Sequence, residues 1–351
     1  MPTKMNKILQ KTLLISVSIF SLSVVFAGNP DRQGEAGAYE LLINPWAKGA
    51  SLYSLNVSRV SGVEATFVNP SGISRINKQE LLIGHTRWLV PSGITVNAFG
   101  YSAKVGKNGA FGLSLMSLSL GDIKVTTTAA PEGTGATYKP SFFNLGLGYS
   151  HNFDEKVSVG ILVRGVSESI SNLNAFGFCI DGGVQYYSGE KKEFKLGIAL
   201  RNIGSPMKFS GEGLSTQLKS PEGNALTYDV RLSGFELPSL LHLGLSYDFH
   251  FSDLVVLTPM ANFTANSFGQ DLIGLGGELS VWGKFNLRAS YAVELGTTSV
   301  EAKNAYKGLG FGAGMHLAMD KKENYFFNLD YAYRPTDPFQ GTHNIGIGLN
   351  F

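Results

Sequence analysis

The sequence predicts an all-β protein, a transmembrane antiparallel β-barrel of about fourteen strands preceded by an N-terminal segment that plugs its lumen. Three observations predict it. The first is the C-terminus, H-N-I-G-I-G-L-N-F from His343 to Phe351. Ile345, Ile347, Leu349 and Phe351 share one face of an extended strand, and Asn344, Gly346, Gly348 and Asn350 share the other. A bare apolar strand would leave an unpaired edge on a soluble protein, and a closed barrel removes that edge by pairing last strand with first. The second observation is that the same alternation recurs along most of the chain. The third is that long connections between the alternating runs fall at one end of the strands and short turns at the other, as in outer-membrane barrels.

Residues 1–27 read as a cleaved secretory signal peptide. Lys4, Lys7 and Lys11 give a positive start, 12–26 is largely apolar, and Val25 and Ala27 are small residues at the cleavage spacing. The apolar run is about 15 residues, short of the roughly 20 that a spanning helix needs. The reading implies export through the inner membrane to the periplasm, the outer membrane or outside, and the barrel pattern selects the outer membrane.

Composition agrees. Charged residues are 16% of the chain, below the roughly 25% usual in soluble domains. Mean hydropathy is only +0.04, too low for a bundle of membrane helices. An apolar exterior around a polar, glycine-lined interior reconciles the two, and the chain has 43 glycines to supply it. The net charge of +2 points to no nucleic-acid partner, and the lone Cys179 has no internal disulfide partner.

Residues 28–78 precede the regular alternation and are assigned to the plug. Two Asn-Pro pairs, in L-L-I-N-P (Leu41, Leu42, Ile43, Asn44, Pro45) and N-P-S-G (Asn69, Pro70, Ser71, Gly72), interrupt regular structure there. Between them Leu52, Leu55 and Val60 fit either a short helix face or a strand. The barrel is assigned to 79–351. Its strands are expected near 79–89, 92–103, 109–120, 141–153, 156–170, 175–188, 193–203, 238–251, 253–265, 271–283, 285–296, 307–319, 324–334 and 343–351. Short turns are expected at 104–108, 154–155, 189–192, Ser252, Lys284 and 320–324. The longer connections are 121–140, 171–174, 204–237, 266–270, 297–306 and 335–342, with a tight hairpin near Pro91 as the exception. The loop at 204–237 is long enough to hold an extra hairpin, and it and 121–140 are the expected contact loops.

The lumen-facing parity places Arg164, Lys195, Arg201, Asp248, Glu278, Arg288, Glu294 and Asp330 inside, as a mutually paired polar interior or as a selectivity ring. Catalytic patterns are missing. None of the six histidines sits in H-E-x-x-H, no G-x-S-x-G elbow occurs, and the glycine-rich stretches alternate with apolar residues instead of preceding a helix. The expectation is a non-enzymatic protein without cofactor or metal.

The chain ending of Ile345, Ile347, Leu349 and Phe351 resembles the C-terminal assembly signal of bacterial outer-membrane barrels. The two N-terminal boxes, with R-N-I-G at 201–204, F-S-G-E-G-L at 209–214 and F-E-L-P-S at 235–239, resemble the PorV/PorQ family, relatives of the FadL-type outer-membrane transporters. The resemblance spans essentially the whole mature chain. It departs at 48–54, where K-G-A-S-L-Y-S replaces the family's glycine-rich stretch. The resemblance implies a FadL-like barrel of fourteen strands. It also implies a role in type IX secretion of Bacteroidota, with secreted cargo C-terminal domains and a large translocon barrel as partners and outer-membrane lipid around the wall. The alternative is a FadL-like channel for hydrophobic small molecules, whose mark would be a kinked, open strand beside Asn69 and Pro70.

Overall fold

The computed structural model describes residues 29–296, 304–320 and 324–351. The signal-peptide assignment lies outside the described residues. One antiparallel sheet closes on itself. Its strands are β1 Gln79–Trp88, β2 Ile94–Val105, β3 Gly109–Ser119, β4 Ser141–Phe153, β5 Val157–Ile170, β6 Leu173–Ser188 and β7 Phe194–Gly204. They continue with β8 Leu240–Tyr247, β9 Val255–Asn266, β10 Leu272–Val281, β11 Phe285–Glu294, β12 Leu309–Ala318, β13 Phe326–Arg334 and β14 Thr342–Asn350. The sheet has fifteen segments, but Phe249–Ser252 continues β8 past Asp248 against the same neighbour, so the barrel has fourteen strands. Closure runs through β1 and β14, from Glu80↔Asn350 to Arg87↔His343. Phe351 extends that pairing, exchanging backbone hydrogen bonds with Gln79 at 2.9 and 3.3 Å.

Alternation decides which side chain meets which solvent. Ile83, Leu147, Ile161, Phe178, Leu275, Leu287 and Ile347 are exposed on the outer wall, as is the C-terminal face of Ile345. Aromatic pairs gird the short-turn end, with Trp282 against Phe285 and Tyr325 against Phe351. No helix among the described residues is long and apolar enough to cross a membrane.

Two differences from the sequence reading have physical causes. The connection expected at 171–174 narrows to Ser171 and Asn172, because β5 and β6 stay paired up to Ile170↔Leu173. Long connections still fall at one end only, and Ser215–Lys219 with Ala225–Asp229 forms the extra hairpin in the loop after β7. The second difference is a phase flip in β2 and β3. At Leu115–Met116 the sequence places two apolar residues in succession, and the ladder continues without a bulge. From there outward Met116, Leu118 and Val96 point into the lumen while Thr95, Asn97, Ser117 and Ser119 face out.

Residues 29–78 fill the lumen. The segment that fitted either helix or strand forms short turns of helix, Ala47–Ser51, Leu55–Ser58, Ala65–Val68 and Pro70–Ser74. Trp46, Val57, Val60, Val63, Phe67, Val68 and Ile73 pack against Leu82, Ala98, Ala110 and Ala199 of the wall. Glycines of the wall make room for this. A Cβ at Gly160 would collide with the Pro70 carbonyl oxygen, and one at Gly197 would collide with the Ser58 backbone at 2.5 Å.

Candidate functional site

The two Asn-Pro boxes are anchors of the plug. Asn69 is fully buried and caps the turn Pro70–Ser74, its Oδ1 accepting from the Ser71 amide at 3.2 Å and hydroxyl at 2.7 Å. Its Nδ2 donates to the Val57 carbonyl at 3.0 Å and to wall carbonyls of Val184 and Ile198 at 3.2 and 3.4 Å. Gly72 lies where a Cβ would strike the Val60 carbonyl. Asn44 accepts from the Trp46 amide at 3.0 Å and donates to Ser54 at 2.9 Å, and its carbonyl receives Asn344 of β14 at 3.4 Å. Pro45 presents its carbonyl to Gly84. Leu41 is buried with Val166, Ala175, Met207 and Leu237, Ile43 packs on Val96, Met116 and Leu118, and Leu42 lines a cavity.

The central motifs converge on the same anchor. R-N-I-G forms a bulge in which Arg201 and Asn202 oppose Asp181 alone. Asp181 bridges it by accepting from the Asn202 amide at 2.6 Å, while Arg201 donates to the Leu41 carbonyl at 3.0 Å and lies over the Phe67 ring. F-E-L-P-S folds down from the long loop, where Glu236 exchanges backbone hydrogen bonds with Glu35 and Gly37 at 3.0 and 2.9 Å. The open strand sought beside Asn69 and Pro70 is therefore missing. The wall there is bulged but bridged, and β5 pairs with β6 along its whole length.

The lumen charges are where parity placed them. Arg59 of the plug donates to Glu278 at 2.7 Å, Arg288 to the other Glu278 oxygen at 2.5 Å and to Asp330 at 2.6 Å. Arg164 pairs with Asp181 at 2.9 Å, and Lys195 with Asp248. Arg201 is held instead by the Leu41 carbonyl and Glu294 by Asn304. Two plug carboxyls differ. Burial pushes Glu64 up to about 8 against the pull of Lys48, and burial with Glu168 alongside pushes Glu40 up to about 8.

Toward the long-loop end the plug stops short of the wall. A cavity of about 850 Å³ opens between Tyr39, Leu42, Ile43 and Tyr53 of the plug and Trp88, Asn266, Phe268, Glu294, Tyr306 and Arg334 around it. A deeper one of about 210 Å³ continues to Arg201, Leu240 and His242. A third, of about 620 Å³, reaches from Tyr53 to Tyr291 and Val293 on the lipid-facing side. Tyr53 and Glu294 line all three. The third exists because the β11–β12 ladder stops at the Ala292 amide on the Gly308 carbonyl, 2.8 Å. Beyond it Leu295 turns to Asp271, while Lys307 and Asp337 bind across to Pro335 and Ala305. The two outer ends diverge, and a side-chain hydrogen bond from Asn304 to Glu294 spans the seam. Burial raises the Tyr53 phenol to about 12, so it stays a neutral donor.

Neither a family model nor a curated protein matches this chain. Solved structures do. The toluene transporter TodX of Pseudomonas putida aligns at 15% identity and TM-score 0.54, over 86% of this chain and 96% of TodX. The fold is the FadL-type barrel. CymD, a monoaromatic hydrocarbon channel, aligns at 12% identity and 0.55, over 88% and 97% of the two chains. A Pseudomonas aeruginosa FadL homologue aligns at 13% and 0.50, over 86% and 96%. These likenesses show the fold, and no family match supports the finer PorV/PorQ resemblance.

Sequence reasoning singled out Glu294 as a lumen charge and Leu42 and Ile43 as part of an N-terminal box, placed no cavity there, and missed Tyr53, Tyr306 and Arg334. Arg334 was within reach of parity, two positions beyond the inward Ala332.

Proposed function

We propose that the protein is a non-enzymatic outer-membrane channel that admits small hydrophobic molecules. The single observation that carries this reading is the aromatic-lined cavity at the long-loop end, which adjoins the pocket at the β11–β12 seam across Tyr53 and Glu294. The packed plug core blocks a straight path through the lumen, and the seam offers a way sideways into the bilayer. The named function of the TodX and CymD channels supports the same class of solute. His85, His151, His242, His316 and His343 bond to Asn97, Tyr149, Thr264, Asn328 and Tyr331, none to a serine or carboxylate, which favours a role without catalysis. Cells bearing the protein should take up labelled toluene faster than cells without it, and equal rates overturn the reading.

One observation favours a second reading, docking of secretion partners of the PorV type. The outer hairpin carries Leu218, Leu226 and Tyr228 on one exposed face. Deleting 215–229 should abolish co-purification of a large barrel or of secreted proteins. Recovery of neither with the intact chain removes this reading.

A further inference from the structure

Arg334 ends β13, is 7% exposed and lines the outer cavity and the deeper one beneath it. Its guanidinium lies 4.6 Å from the Tyr306 ring centre and 5.6 Å from that of Tyr53. Its Nε and Nη2 are buried without a hydrogen-bond partner, and so is the Tyr53 hydroxyl. Arg164 and Arg288, equally buried, each have carboxylate partners. Among the described residues no carboxylate pairs with Arg334, and Glu294, which lines the same cavity, is held by Asn304 instead. A buried cation with open N–H donors is unfavourable unless something else supplies the counter-charge. Arg334 itself lines the cavity, so a group entering there is the counter-charge within its reach. The walls beside them are rings, Trp88, Phe268 and Tyr306, which stack on flat apolar bodies.

We infer that this cavity takes an aromatic acid, its ring among the aromatic side chains and its anionic oxygens on Arg334 and the Tyr53 hydroxyl. This rests on the channel reading and narrows its substrate. A pure hydrocarbon would leave the buried donors unmet. The planar guanidinium matches a carboxylate with two parallel hydrogen bonds.

The test is calorimetric titration of the purified full-length protein in detergent with 4-methylbenzoate, its methyl ester, toluene and octanoate. The acid should bind about tenfold or more tightly than its ester or toluene, and more tightly than octanoate. R334Q should cut acid affinity about tenfold and ester affinity by much less, with R334K intermediate for the acid. Y53F, which removes only a hydroxyl, should weaken the acid by a few-fold and serves if R334Q fails to fold. Equal binding of acid, ester and toluene, or an acid affinity indifferent to both substitutions, overturns the inference and leaves the channel reading standing. Octanoate binding as tightly as the aromatic acid overturns its aromatic half. Binding of none of the four, together with no toluene uptake by cells, removes the channel reading and this inference with it.

Discussion

The two ends of the lumen solve the same problem in opposite ways. At the short-turn end the buried arginines have partners. Arg288 holds Glu278 and Asp330, Arg59 holds Glu278 again, and Arg75 donates to Ser158 and Gln185 at 3.0 Å each. Gln185 returns two hydrogen bonds to plug carbonyls, Val57 at 3.0 Å and Val60 at 2.9 Å. At the long-loop end Arg334, Tyr53 and the His242 Nε2 lie buried without partners around empty volume. Satisfied polar groups rigidify a structure, and unsatisfied ones facing a cavity reserve it for something else. The difference separates the part of the protein that holds the plug from the part available to a ligand.

Parallel substitutions should expose that difference most strongly. Arg288→Met strands Asp330 and leaves Glu278 to Arg59 alone, and should cost about 3–5 kcal/mol in urea unfolding from bilayers. Arg334→Met strands none and should change stability by about 1 kcal/mol or less, the scale of a cation–π contact. Equal losses would erase the distinction.

A second effect comes from pH. Glu40 and Glu64 keep their protons to about 8 in the folded chain, whereas unfolded they release them near 4.5. Between those values the folded state binds more protons, so stability falls as pH rises through that window and levels off above it. Unfolding midpoints from pH 4 to 9 should follow this slope, and Glu40→Gln with Glu64→Gln should flatten it. An unchanged slope in the double variant would mean that other groups titrate.

The smallest effect concerns the anchor. Asn69→Ala removes a cap and the donor to two wall carbonyls and should cost about 1–2 kcal/mol. Uptake should persist, because the cavity lies at the far end of the plug. Loss of uptake without loss of stability would place Asn69 on the pathway.

The fold was legible because a barrel strand must alternate, and the fourteen spans and their inward charges follow from that rule alone. The exceptions are local. The Leu115–Met116 doublet announces a phase flip that any reading assuming one apolar exterior smooths over. The turns of the plug were not legible. Leu52, Leu55 and Val60 owe their conformation to a surrounding wall, with Leu55 filling the space at Gly274 that a side chain would occupy. The cavity was less legible still, since Tyr53, Tyr306 and Arg334 come from three distant segments and meet only when the barrel closes.

The central claim is that solute leaves the outer cavity through the seam between β11 and β12, past a lumen that stays shut. The direct measurement is toluene uptake by cells carrying Glu294→Cys with Asn304→Cys, the two side chains that already meet across the seam. The native Cys179 is buried elsewhere and does not interfere. Oxidation to the disulfide should reduce uptake to the level of cells lacking the protein, and reduction should restore it. Uptake that continues unchanged through the cross-linked seam would contradict the account.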